Sequence, residues 1–148
     1  MEKKLQKLVS ELFSLLEVKA TADVSKEEDD VYKITIETED ESGLLIGGHG
    51  TTLFAIQSFL SIAIKQETGE WVKIVVDIAG WRGKQEDYLN NLATQAAERA
   101  KSTKEPQKLY NLTPAQRRTI HMKLSDDKEI KTESEGEGEE RYLVITSK

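Results

Sequence analysis

Apolar residues recur at helical spacing at the start of the chain. Leu5, Leu8, Val9, Leu12, Phe13, Leu15 and Leu16 fall on one side of a helix over residues 2–17. The period then shortens to two: Val18, Ala20, Ala22 and Val24 alternate with polar residues, and Val31-Tyr32-Lys33-Ile34-Thr35-Ile36 is rich in β-branched side chains. Two antiparallel strands are predicted, 18–24 and 31–36, turning through the charged segment 25–30. Glu27-Glu28-Asp29-Asp30 at that tip lack the spaced ligands and glycine of a calcium loop, so the segment reads as a solvated turn.

Residues 41–46 allow one helical turn before a cluster of glycines. Thr51 to Gln66 then carries Leu53, Phe54, Ile56, Phe59, Leu60, Ile62 and Ile64, apolar on nearly every side, which predicts a buried helix ending at Gly69. Trp71 to Ile78 is the strongest strand pattern in the chain. Trp81 to Lys101 is again helical, with Leu89, Leu92, Ala93, Ala96, Ala97 and Ala100 on one face, small enough for another element to approach closely. Pro106 breaks the pattern, and 107–112 reads as a short strand. Thr113-Pro114 opens a further helix with a capping hydroxyl and a proline in its first turn. Strands over 129–135 and 141–146 flank the acidic, glycine-rich hairpin loop Glu135 to Glu140.

The 148 residues suffice for one ordinary domain or two small ones, and 32% of them are charged. The absence of cysteine removes disulfides, thiolate catalysis and cysteine-bound zinc together. The first residues lack the apolar run of a signal peptide, and no stretch reaches the length of a membrane span, so a cytoplasmic protein is expected. Two histidines, predicted to lie in different domains, and no paired catalytic carboxylates leave little for metal or hydrolytic chemistry. A non-enzymatic protein without metal or cofactor is expected.

The net charge of −6 opposes nucleic-acid binding only until the chain is divided. Residues 1–80 carry 8 basic and 15 acidic residues, a balance of −7, while residues 81–148 carry 13 and 12. Between Arg99 and Lys123 stand Arg99, Lys101, Lys104, Lys108, Arg117, Arg118 and Lys123 against Glu105 alone. Phosphate binding needs such a local surplus and not a basic whole.

Two motifs carry the candidate chemistry. Ile46-Gly47-Gly48-His49-Gly50 has the form I-G-x-x-G, a turn whose glycines let peptide N–H groups and the following helix N-terminus approach phosphate. Arg117-x-x-x-His121 places two side chains four apart on one helix face, with Arg118 beside them. The spacing alone does not decide between a scaffold pair and a contact pair.

The order helix, strand, strand, short helix, glycine loop, helix, strand over residues 1–80 resembles a bacterial type II KH domain. That resemblance implies an α+β fold of order αββααβ, a three-stranded sheet with helices on one face. Many KH loops carry a basic residue at the position of Gly48, so attraction here is expected from backbone N–H groups, with Leu45, Ile46 and Leu53 as a floor for bases. Residues 81–148 resemble the small α/β domain named for its R-x-x-x-H signature, with a three-stranded sheet and with the Arg and His on one exposed face. The pair in tandem is similar to the bacterial Jag (SpoIIIJ-associated, KhpB/EloR) family. Membership implies single-stranded nucleic-acid binding, RNA favoured over DNA, a role as RNA chaperone or post-transcriptional regulator, and a KhpA-like KH partner or a homodimer. The family's N-terminal Jag domain and linker are expected to be absent. The contact residues so implied are Ile46, Gly47, Gly48, His49, Gly50, Arg117, Arg118 and His121. A protein–protein adaptor, with the first domain serving dimerisation, is the alternative, favoured by that domain's negative balance and its lack of a loop cation.

Overall fold

A computed structural model describes all residues, Met1 to Lys148. The chain divides into two compact units, Met1–Arg82 and Gly83–Lys148.

The first unit runs α1 (Glu2–Leu16), β1 (Thr21–Lys26), β2 (Val31–Glu37), α2 (Ser42–Ile46), α3 (Thr51–Thr68) and β3 (Lys73–Ile78). Its sheet has the order β1-β2-β3, with β1 antiparallel and β3 parallel to β2. The alternation in the sequence sets which face is buried. Tyr32, Ile34 and Ile36 pair in register with Ile74, Val76 and Ile78, and all six point into the core. Leu5, Val9 and Phe13 of α1, Leu45 of α2, and Leu53, Ile56, Leu60 and Ile64 of α3 cover them. The helices therefore lie on one face, as expected. The edge strand β3 is tied off along its open side. Gln57 Oε1 accepts from the Val76 N–H at 2.9 Å and from Arg82 Nη2 at 2.9 Å, while Arg82 Nε donates to the Val76 carbonyl at 2.9 Å.

Three details of this unit depart from the sequence reading. The first strand begins at Thr21 and not at Val18, because Glu17 turns left-handed (φ 56°) and the Val18 N–H closes the end of α1 on the Phe13 carbonyl. Helix α3 is not buried all round. Phe54, Phe59 and Ile62 are exposed, since the single sheet covers only one side of the helix. Leu45 and Leu53 are fully enclosed in the core and offer no floor to a base; the accessible apolar groups near the loop are Leu44 and the half-buried Ile46.

Helix α4 (Trp81–Thr103) contributes its first residues, Trp81 and Arg82, to the first unit. The second unit follows with β4 (Gln107–Leu109), α5 (Pro114–Leu124), β5 (Ile130–Glu135) and β6 (Tyr142–Ser147). Its sheet has the order β4-β6-β5, antiparallel throughout. Leu143 and Ile145 of β6 meet Leu89, Ala93, Ala96, Ala97 and Ala100 of α4 and Ile120 and Leu124 of α5 in one core. Strand β4 is shorter than predicted: Asn111 has φ 59°, which turns the chain out of the sheet before Leu112.

Candidate nucleic-acid interface

The glycine loop links α2 to α3 by a conformation that ordinary residues resist. Gly47 has φ 73° and ψ 178°, and a Cβ there would stand 2.9 Å from Thr51 Oγ1 and from the Thr52 nitrogen. Gly50 has φ 79°, and its Cβ would stand 2.6 Å from Trp81 Cη2 and 3.2 Å from Phe54 Cε2. Both positions require glycine. Between them Gly48 and His49 are exposed, with open space where a side chain on Gly48 would go. His49 itself is left-handed, at φ 56°. The bend is held by the Gly50 N–H bonding to the Gly47 carbonyl at 3.3 Å. Gly48 and His49 thus present backbone to solvent at the start of α3, and the loop's one ionisable side chain is His49. Trp81 meets Phe54 edge to face, with ring centroids 6.0 Å apart, and the Arg82 guanidinium lies 5.3 Å from the Phe54 ring.

In the second unit the N-terminus of α5 is locked by a capping box. Thr113 Oγ1 accepts from the Gln116 N–H at 3.2 Å, and Gln116 Oε1 accepts from the Thr113 N–H at 2.9 Å. Arg117, Arg118 and His121 follow from this fixed start. They do not share one exposed face, contrary to what the resemblance implied. Arg117 is only 8% exposed. Its Nη1 donates to the Leu112 carbonyl at 2.8 Å and reaches the Arg141 carbonyl at 3.5 Å. The cause is position: Arg117 lies three residues before Ile120 and seven before Leu124, on the stripe that packs inward. Arg118 and His121 are exposed. The His121 ring is anchored through Nδ1 on the Thr132 hydroxyl of β5, which leaves Nε2 for a ligand.

These groups converge on a cleft of about 490 Å³. Pro114, Arg117, Arg118 and His121 line it from α5, Thr132 and Ser134 from β5, and Arg141 and Leu143 from the start of β6. Guanidinium, imidazole and hydroxyl groups around one concavity form a phosphate-binding chemistry. Arg141, Thr132 and Ser134 were not among the residues expected from sequence. Thr132 and Ser134 follow Ile130 at period two and pair with Ile145 and Leu143, which is the signal that sets them on the helix-covered face. The wider basic run does not act as one surface. Lys101 is engaged by Asp127 at 2.7 Å and Glu129 at 3.5 Å, and its hydrogen bond to Asp127 raises the lysine pKa and lowers that of the carboxyl. No group of three or more His, Asp or Glu side chains converges as a metal site would require, and no helix is long and apolar enough to cross a membrane.

Residues 2–78 match the KhpA/KhpB KH-domain family, and residues 87–147 match the family of R-x-x-x-H domains. The chain belongs to the KhpA/KhpB family. The R-x-x-x-H domain behind the KH domain places it with the KhpB (Jag) members. An RNA-binding protein KhpB of Bacillus subtilis (strain 168) is 35% identical over 113 residues, covering 75% of this chain and 54% of the relative. The protein of that name from Clostridium symbiosum is 32% identical over 109 residues, covering 74% and 49%. That of Lactiplantibacillus plantarum is 27% identical over 129 residues, covering 87% and 40%. The chain spans about half the length of the curated relatives it matches.

Proposed function

We propose that this chain binds single-stranded nucleic acid, RNA in preference to DNA, without catalysing a reaction. The observation that carries the reading is the cleft in which Arg118, His121, Arg141, Thr132 and Ser134 meet above the buried Arg117. The KH and R-x-x-x-H domains and relatives named RNA-binding proteins support it. In this reading the cleft takes phosphates of an unpaired strand by charge-assisted hydrogen bonds. The Gly47–Gly50 loop takes the sugar–phosphate chain through backbone N–H groups at the start of α3. The setting is cytoplasmic, and the role is that of an RNA chaperone or post-transcriptional regulator. Fluorescence anisotropy with a labelled single-stranded RNA of about 12 nucleotides tests it. Affinity should fall steeply as salt rises. A flat salt response, or equal affinity for duplex, defeats the proposal.

A second reading draws on one observation, the exposed Phe54, Phe59 and Ile62 along α3. An apolar helix face of this kind suits pairing of the first unit with a second KH surface, in a homodimer or with a KhpA-like partner. Light scattering that shows a dimer with no RNA affinity would favour this adaptor role over the first reading.

A further inference from the structure

On the face of the second sheet opposite the core, two tyrosines stand at the end of the sheet nearest the cleft. Tyr110 follows β4 and Tyr142 opens β6; their ring centroids are 5.1 Å apart at an interplanar angle of 41°. Tyr110 is 61% exposed, so its ring covers none of the core and one side of it is open to a ligand. Lys108 Nζ stands 5.7 Å from the centre of the Tyr142 ring.

The pair adjoins the cleft through the backbone that holds Arg117. The carbonyls that face the Arg117 guanidinium belong to Leu112, two residues after Tyr110, and to Arg141, the residue before Tyr142. The Arg141 side chain lines the cleft while the next ring, that of Tyr142, lies across the sheet from Leu143. Moving along the chain from Arg141 to Tyr142 therefore passes from the cationic cleft to an aromatic surface.

We propose that Tyr110, seated on Tyr142, is a stacking site for an unpaired base of the strand whose phosphates occupy the Arg118–His121–Arg141 cleft, with Lys108 as the cation for the next phosphate. The proposal rests on the nucleic-acid reading above and adds to it where the strand goes on leaving the cleft. An aromatic face takes any base, because every base has a π-face, and an adjacent cation neutralises the backbone. The other side chains of this sheet face fit the assignment. Tyr142 donates to Glu135 at 3.1 Å, which orients the lower ring and raises its pKa, so the phenol stays neutral at physiological pH. Glu133 is engaged by Lys131 at 2.9 Å. The two carboxylates of that face are thus both engaged, and Lys108 is the cation that faces the rings.

The test is a binding titration of the full chain with a single-stranded polyuridine RNA of about 12 nucleotides, beside an abasic oligomer of the same length. Tyr110→Ala should weaken polyuridine binding about 5- to 100-fold. Its salt dependence should keep the slope of the unaltered chain, because stacking releases no counterions. Tyr110→Phe should bind normally. The abasic oligomer should bind the unaltered chain and Tyr110→Ala equally. Arg118→Ala, by contrast, should lower the salt slope by roughly 0.7. Normal binding by Tyr110→Ala, with Arg118→Ala weakened, overturns the stacking site and leaves the cleft reading in place. A loss for Tyr110→Ala that is equally large on the abasic oligomer also overturns it. An unaltered chain that binds neither oligomer overturns both readings.

Discussion

The indole of Trp81 occupies the space that a side chain on Gly50 would need, with Cη2 2.6 Å from the position of the missing Cβ. The last turn of the glycine loop is thereby packed against the start of α4 while its tip stays open. Gly50→Ala would have to hold a left-handed backbone and displace an aromatic ring. It should cost about 2–4 kcal/mol of stability. Gly48→Ala meets open space and should change stability by less than about 0.5 kcal/mol. Urea unfolding followed by tryptophan fluorescence measures both, since Trp71 and Trp81 belong to the first unit. Equal effects at the two glycines would show that the indole does not hold the loop.

The exposed tip allows charge to be varied without refolding. Gly48→Lys should raise affinity for single-stranded RNA several-fold and steepen its salt dependence by roughly 0.7 per added phosphate contact. Replacing Gly48 and His49 together by Asp sets two carboxylates beside the strand and should abolish the loop's share of binding. Anisotropy titrations at several salt concentrations measure each. A folded double-Asp variant with full affinity would assign all binding to the second unit.

Adjacent arginines on α5 should separate fold from contact. Arg117→Ala leaves the Leu112 and Arg141 carbonyls without their guanidinium donor and should cost about 2–3 kcal/mol. The loss should appear as faster amide hydrogen exchange in α5 and β6. Arg118→Ala should leave exchange unchanged while weakening RNA binding and flattening its salt response. Identical exchange and binding profiles for the two variants would contradict this division.

Lys101 and Asp127 make stability of the second unit depend on pH at both ends. The hydrogen bond to Lys101 lowers the Asp127 pKa in the folded chain, so its contribution is complete above the ordinary carboxylate range. It is lost as pH falls through the lowered value. Lys101 is raised, first by that same hydrogen bond, so its contribution is complete below the ordinary lysine range and is lost as pH rises through the raised value. Stability should be flat across neutral pH and fall at each limb. Asp127→Asn should shrink both falls, measured by thermal unfolding across a pH series. An unchanged profile in that variant would remove the pair from the explanation.

The hydrophobic period located every helix and strand, because each element here buries one face of a small sheet and shows it in sequence. It failed where local geometry intervened. The Val18 N–H was diverted to cap α1, and Asn111 ended β4 early by turning left-handed. It overstated the burial of α3, since a residue such as Phe59 has the same composition whether a second layer covers it or not. The glycine loop was legible because left-handed backbone and close packing leave few substitutes for Gly47 and Gly50. The burial of Arg117 was written in its distance from Ile120 and Leu124, but the R-x-x-x-H spacing drew the reading outward. Arg141 carried no local signal, because its place in the cleft arises from a hairpin that returns it to α5.

The capping box at Thr113 and Gln116 and the carbonyl brackets on Arg117 have a kinetic consequence. The cleft is rigid before any strand arrives, so the entropy of ordering its walls is incurred during folding and not on encounter. Association should then be governed by diffusion and electrostatic steering, and similar for strands of different sequence. Discrimination between those strands should lie in how long each one stays.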